Sequence, residues 1–325
     1  MSKRAKRIES MDSGGPFAGR YALAIGMFDG FHRGHKRVLE KCVSLAKRLG
    51  AKPAILTFDP HPSAVVKMPY PPAEMLFDPR SRARMFLDAG AESVFVKKFD
   101  KKFASSSARK FAEGLSKKFP KLCAIVTGEN FLFGRNAEGD AKTMREICGE
   151  TGWKYAAVPR VKSGGRRISS TRLREALKRG DMPLYKRLAG RPYEAAGKVE
   201  SGRRIGRKLG FPTLNLPWNP ACKPPYGAYA GEVVDVGGKA FPAVVGYGTA
   251  PSAGGEKPLI EAHVLGGTKL KTGSQIGVRL LKFLRPQAKF PTLEDLERQI
   301  AADAREAKKF FRGMRARAKT KKWTQ

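Results

Sequence analysis

Residues 21–39 read YALAIGMFDGFHRGHKRVL. The apolar run 21–28 stops at the turn pair Asp29-Gly30, the pattern of a short buried strand. Beyond it, Val38, Leu39, Cys42, Leu45, Ala46 and Leu49 recur on one face of a helix that Gly50 closes. Two of the chain's four histidines, His32 and His35, fall in the corner between strand and helix. The alternation continues downstream. AKPAILTF (51–58), AESVFVKKF (91–99) and KLCAIVTG (121–128) read as strands, with ARKFAEGLSKKF (108–119) a helix between the last two. Strands alternating with helices predict an open parallel sheet wound by right-handed crossovers. Such sheets take ligands at the carboxyl ends of their strands, where the histidine corner lies.

From about residue 190 the texture changes. Pro and Gly become dense, and short β-like runs such as GAYAGEVV (227–234), KAFPAVVGYG (239–248) and QIGVRLLKFL (275–284) replace the βα alternation. This predicts a compact antiparallel barrel or sandwich. A last amphipathic helix is expected from Thr292 as N-cap, with Leu293, Leu296 and Ile300 on its apolar stripe. The expected organisation is a basic, flexible leader over 1–20, an α/β domain over 21–186 and a β domain over 187–325 ending in a basic tail. A chain of 325 residues suits two domains of about 100–200 residues each.

Composition narrows the classes. No apolar run approaches the roughly 18 residues of a membrane span, and residues 1–20 lack the apolar stretch of a secretory signal, so a cytoplasmic protein is expected. The four cysteines, Cys42, Cys123, Cys148 and Cys222, form no C-x-x-C pair, which argues against a zinc site or a disulfide framework. The formal charge of +35 attracts polyanions of any kind without naming one. Basic residues cluster at Lys3, Arg4, Lys6 and Arg7, at Arg203, Arg204, Arg207 and Lys208, and from Lys308 to Lys322. The two ends are expected to be solvated and to bind polyanions non-specifically. No zinc-finger spacing and no aromatic-rich RNA-binding strand accompanies them.

The corner H-x-G-H at a helix start suits phosphate chemistry. Gly34 permits close backbone approach, the free N–H groups and positive dipole end of the helix face an anion, and two imidazoles add donors for developing charge. No G-x-x-x-x-G-K-[ST] occurs anywhere. In RRISSTRLREAL (166–177), Ser169, Ser170 and Thr171 precede another helix start, with Arg172 and Arg174 as anion contacts. That pair of corners fits the departure of a pyrophosphate.

These residues carry a resemblance. GMFDGFHRGH resembles the G-N-F-D-G-V-H-x-G-H of the bacterial bifunctional riboflavin kinase and FMN adenylyltransferase family, with Met27 for Asn and Phe31 for Val. LTFDPHP (56–62), GENFLFGRNAEGD (128–140) and ISSTRLR follow in the family's order, so the resemblance runs from Tyr21 to about Phe311. It implies a Rossmann-like nucleotidyltransferase domain followed by a small antiparallel β-barrel kinase domain with a C-terminal helix. It further implies that His32 and His35 are catalytic in adenylyl transfer and that Gly26, Phe28, Asp29, Gly34, Ser169, Ser170, Thr171 and Arg172 contact ATP. His61 and Asn130 then lie on the flavin side.

GKVESGRRIGRKLGFPTLNL (197–216) resembles the family's kinase entrance. Gly206, Arg207, Gly210, Phe211 and Pro212 are thereby expected at ATP, and Thr213 and Asn215 present two oxygens on one strand face, as suits Mg²⁺. Glu261 of PLIEAHVLG matches the family's E-x-H and is implied as general base for the ribityl hydroxyl. Arg285 and Phe290 are implied on the kinase's flavin side. The implied reactions are riboflavin to FMN and FMN to FAD plus pyrophosphate, each with ATP and Mg²⁺. Departures concentrate in the second half. The family's N-I-G-x-x-P-T-F reads GYGTAPSA, with Gly246 for Asn, Ser252 for Thr and Ala253 for Phe, and Thr272 replaces a Tyr. Two other readings stay open: an adenylyltransferase whose barrel binds flavin without kinase activity, and a basic nucleic-acid-binding protein on a nucleotidyltransferase scaffold.

Overall fold

In the computed structural model, residues 7–67, 69, 71–202, 206, 209–250 and 255–322 are described. The chain divides into two compact units, Met1–Leu173 and Arg174–Gln325. The first contains strands β1 (Arg7–Ser10), β2 (Tyr21–Ile25), β3 (Lys52–Asp59), β4 (Ser93–Lys98), β5 (Leu122–Gly128) and β6 (Lys154–Val158), and a hairpin of β7 (Lys162–Ser163) and β8 (Arg166–Arg167). Helices α1 (Arg33–Arg48), α2 (Pro79–Asp88), α3 (Lys101–Ala104), α4 (Ala108–Lys118) and α5 (Ala141–Thr151) connect them. The sheet is parallel throughout, in the order β1-β4-β3-β2-β5-β6.

All five residues of β2 are buried because both faces of the sheet are covered. Ala22 and Ala24 face the core that contains Val38, Leu39 and Cys42 of α1, whereas Tyr21, Leu23 and Ile25 face the core built with Phe111 and Leu115 of α4. Each fully buried Leu or Val on α1 contributes about 1.5–3 kcal/mol. Leu39→Ala, at a position 1% exposed, is the kind of change that costs about 2–5 kcal/mol through the cavity it leaves. After the edge strand β1, the chain crosses to the centre of the sheet at β2, builds outward through β3 to β4 beside β1, then reverses to β5 and β6. The switch point therefore lies between the carboxyl ends of β2 and β5.

One expectation fails here. The stretch 1–20 does not behave wholly as a flexible leader: Arg7–Ser10 pairs in parallel with β4, and Met11 is buried in the core around Phe95. Beyond the strand, Asp12 accepts the Lys98 backbone N–H at 2.7 Å, and the Lys118 ammonium donates to the Gly14 carbonyl at 2.7 Å. A charge-rich strand of four residues carries almost no apolar signal, so periodicity overlooks it.

The second unit begins within α6 (Ser170–Lys178) and continues through α7 (Met182–Ala189). It contains β9 (Tyr193–Lys198), β10 (Leu214–Pro217), β11 (Gly227–Val234), β12 (Ala240–Ala250), β13 (Gly255–Val264) and β14 (Gln275–Pro286), then α8 (Leu293–Lys322). The six strands are antiparallel in the order β10-β13-β12-β11-β14-β9. The Glu200 N–H donates to the Asn215 carbonyl at 2.9 Å, so the chain just past β9 reaches back to β10 and nearly closes a barrel. Tyr229, Val245, Tyr247 and Ile260 fill the inside. Outside, Ala230, Val244 and Leu281 pack against Ala304, Ala307 and Phe311 of α8. Thr292 caps that helix by accepting the Asp295 N–H at 3.1 Å. Its buried stripe starts later than expected: Leu293 is 60% exposed, Leu296 and Ile300 are half-buried, and the fully buried positions begin at Asp303 and Ala304.

Candidate functional site

The turn after β2 is strained. Phe28 and Phe31 have φ of 49° and 36°, a region that non-glycine residues avoid and that persists only where surroundings over-determine it. The surroundings are identifiable. The Phe28 ring packs edge-on to His35 and to Phe86, and Phe31 packs on the same Phe86. The Asp29 carboxylate accepts the Leu76 N–H at 3.1 Å, and the Asp29 carbonyl accepts the Ser170 hydroxyl at 2.8 Å. Phe28 and Asp29 thus turn their side chains into the protein, and any contact they make with ATP falls to their backbone.

His32 is the N-cap of α1, and its Nδ1 accepts the His35 backbone N–H at 3.2 Å. That bond assigns the ring proton to Nε2. The two imidazoles stack with centroids 3.5 Å apart. Gly34 makes room for this: a Cβ there would stand 3.0 Å from the His32 ring. Its glycine therefore serves the histidine pair directly. Gly26 donates its N–H to the Leu56 carbonyl and ends β2.

Ser169 accepts the Arg172 N–H at 3.3 Å and so caps α6, while Ser170 ties the same helix start to the His32 loop. Two helix N-termini, each an anion site in principle, are thereby brought side by side. Thr171 is exposed. The Arg172 guanidinium donates to the carbonyls of Arg166 and Arg167 at 3.0 and 2.7 Å, bracing the β7–β8 hairpin. At the ends of the flanking strands, His61 caps a short 3-10 turn and meets the Ser63 hydroxyl at 2.8 Å through Nδ1. Asn130 is exposed two residues past β5. The carboxyl ends of β2, β3 and β5, adjacent in the sheet, thus carry His32, His61 and Asn130.

In the second unit, Thr213 and Asn215 are half-buried and alternate with buried Leu214 and Leu216, so both point to the outer face of the barrel. Asn215 lies directly opposite Glu261, which lies directly opposite Gly246. The row continues across Ala228 to Arg285. Gly202 bends over this row so closely that a Cβ on it would collide with the Asn215 carboxamide. Glu261 is open to solvent along its side chain, yet the protein packed around it desolvates the carboxyl and raises its pKa. His263, two residues on, meets the Pro212 carbonyl through Nδ1 at 3.0 Å and the Phe211 ring edge-on. The Phe211 N–H closes the preceding loop onto the Gly206 carbonyl at 2.7 Å, and Gly210 has φ of 80°. Arg207, Ser252 and Ala253 lie outside the described residues.

Arg285 pairs with Asp303 of α8 through Nε and Nη2, at 3.0 and 2.8 Å, and its guanidinium lies 5.5 Å from the Phe290 ring centroid. The two residues expected on the flavin side are therefore neighbours. Among the described residues, nothing but the Glu261 carbonyl comes within 4 Å of a Cβ position on Gly246, at 3.8 Å, so none of them repacks into the place of the missing Asn side chain. Among the described residues, no group of three or more His, Cys, Asp or Glu could hold a metal ion, and no helix is long and apolar enough to cross a membrane. The oxygens of Thr213 and Asn215 nevertheless suit a hard cation that keeps most of its shell as water and substrate phosphate.

Periodicity and motifs overlooked the supports of these loops: Thr57, whose hydroxyl donates to the Met27 carbonyl at 3.2 Å, Leu76 and Arg82. A signal for Arg82 existed. It is a charged residue on the face of α2 that carries Ala83, Phe86 and Leu87.

A parallel sheet with paired helix N-termini at its switch point, joined to a six-stranded barrel with an acid directly across the strands from an Asn, defines a two-unit nucleotide-using transferase. The FAD synthetase family model matches residues 16–172, and the riboflavin kinase model matches residues 189–311. The bifunctional riboflavin kinase/FMN adenylyltransferase of Escherichia coli is 33% identical over 89% of this chain and 92% of its own length. That of Bacillus subtilis is 32% identical over 90% and 93%. The chain belongs to the bifunctional riboflavin kinase/FMN adenylyltransferase family. A solved structure described as a macrolide-efflux protein from Streptococcus pneumoniae aligns with a TM-score of 0.78 over 94% of this chain and 99% of that one, at 24% identity. At that identity the likeness speaks to fold alone.

Proposed function

We propose that the chain phosphorylates riboflavin to FMN with ATP in its barrel unit and adenylylates FMN to FAD with a second ATP in its parallel-sheet unit, releasing pyrophosphate. The observation that carries this reading is the presence of two separate sites, the stacked His32–His35 pair beside the α6 start and the Asn215–Glu261 pair on the barrel. In the first, the Nε2–H of His32 and the free amides at two helix starts meet the phosphates of ATP and the charge that gathers on the departing pyrophosphate. His61 and Asn130 hold the flavin side. The FMN phosphate attacks the α-phosphorus, the bond to the β-phosphate oxygen breaks, and positioning plus charge neutralisation supply most of the rate.

In the second site, Glu261 takes the proton of the ribityl hydroxyl as that oxygen attacks the γ-phosphorus of ATP, the bond from that phosphorus to the bridging oxygen of the β-phosphate breaks, and ADP leaves. Its raised pKa makes it a stronger base than an ordinary carboxylate. Thr213 and Asn215 would hold Mg²⁺, which neutralises phosphate charge when bound. Gly206, Gly210 and Phe211 border the nucleotide, and Arg285 with Phe290 borders the flavin. Thr213, Asn215 and Glu261 all being in place favours an active kinase over a barrel that merely binds flavin, despite Gly246. The basic ends, including the exposed stretch Arg312–Ala316 of α8, attract polyanions as a side property that weakens steeply with salt. Incubation with riboflavin, ATP and Mg²⁺, followed chromatographically, should yield FMN and then FAD. Appearance of neither refutes the reading.

A further inference from the structure

Arg82 is 1% exposed, and a buried guanidinium is retained only where its donors are used. Its Nη1 donates to the Met27 carbonyl at 3.3 Å and its Nη2 to the Phe58 carbonyl at 3.1 Å. Nη2 also lies 3.9 Å from the Asp59 carboxylate, and Nε has no partner among the described residues. Burial lowers its pKa, opposed by the charges of Asp29, Asp59 and Asp78. The two carbonyls are not arbitrary. Met27 immediately precedes the strained Phe28 on the way to His32, and Phe58 immediately precedes the Asp59-Pro60 peptide on the way to His61. One rigid fork on α2 therefore holds the origins of both loops that carry the histidines, and Thr57 adds a second donor to Met27.

We propose that Arg82 is a positioning residue for adenylyl transfer, fixing the separation of the His32 loop and the His61 loop so that the nucleotide and flavin phosphates meet in line. The inference rests on the assignment of those loops to the adenylyltransferase site. A planar fork reaches two carbonyls at once, and a lysine reaches one. In the full chain, Arg82→Met keeps the apolar length of the side chain and removes both bonds. The kcat for FMN to FAD should fall about 100-fold, as for a misplacement near 1 Å, with much smaller changes in KM. Arg82→Lys should recover about a tenth of the parental kcat, reflecting one bond of two. The rate of riboflavin to FMN should stay parental in both, providing an internal control.

A purely structural anchor would instead lower the melting temperature and leave kcat per folded molecule unchanged. Should Arg82→Met unfold the first unit, Thr57→Val removes a donor from the same Met27 carbonyl with little change in volume, and about a 10-fold loss of kcat is expected. Parental kcat in folded Arg82→Met, or an unfolded Arg82→Met together with parental kcat in Thr57→Val, overturns the inference. His32→Ala separates the two failures. If it also leaves FAD formation intact, the site assignment is wrong; if it abolishes FAD formation while the positioning variants do not, only the role of Arg82 is wrong.

Discussion

Glu261→Gln tests the kinase site with the least disturbance of its frame. Glu261 is held by backbone pairing to Asn215 on one side and Gly246 on the other, and Gln has nearly the same volume, so the barrel register survives the change. What is lost is a proton acceptor. Removal of a positioned general base lowers the rate about 10²–10⁴-fold, or roughly 3–5 kcal/mol of barrier at about 1.4 kcal/mol per tenfold. FMN formation should fall by that factor while FMN-to-FAD conversion by the same sample stays parental. The pH profile carries a second signature. Since desolvation raises the Glu261 pKa, the acid limb of kinase activity should lie above the range of an ordinary carboxylate. Stability has the opposite sign to catalysis here. A carboxyl whose folded pKa is raised contributes stability below its unfolded pKa and loses it as pH rises through the folded value. Glu261→Gln should therefore melt higher than the parent at neutral pH and gain nothing below the unfolded carboxyl's pKa. FMN formation within tenfold of the parent, or loss of FAD formation in parallel with an intact fold, would refute the assignment.

Three further outcomes are expected. His32→Ala removes both the α1 cap and the Nε2 donor; FAD formation should drop about 10²–10³-fold, as on loss of a charge-stabilising donor, with a stability cost of about 1 kcal/mol from the cap and kinase turnover unchanged by coupled assay. Gly202→Ala should displace the Asn215 carboxamide, so the Mg²⁺ concentration needed for half-maximal FMN formation should rise while FAD formation from supplied FMN keeps its own dependence. Arg285→Ala leaves Asp303, 6% exposed, without its forked partner, and thermal melts should register a loss of about 1.5–3 kcal/mol in the barrel unit, together with a raised KM for riboflavin.

Much of the fold was legible because helix and strand periodicity is a property of neighbours in sequence. The buried runs of β2, β3, β4 and β5, the apolar face of α1 and the switch to short barrel strands each declare themselves within a dozen residues. The histidine corner and I-S-S-T declared themselves as well, because a helix start needs particular residue types at fixed offsets. The edge strand β1 and the true contact stripe of α8 did not, since their placement depends on what lies opposite. The sequence by itself therefore determined which chemical groups the protein owns and which local elements present them. The tertiary structure alone decided which groups face one another: Asn215 against Glu261, Ser170 against Asp29, and Arg82 between Met27 and Phe58. Those pairings follow from strand register and crossover connections over long loops, where packing free energy summed over the whole core selects the partner and no local pattern encodes it.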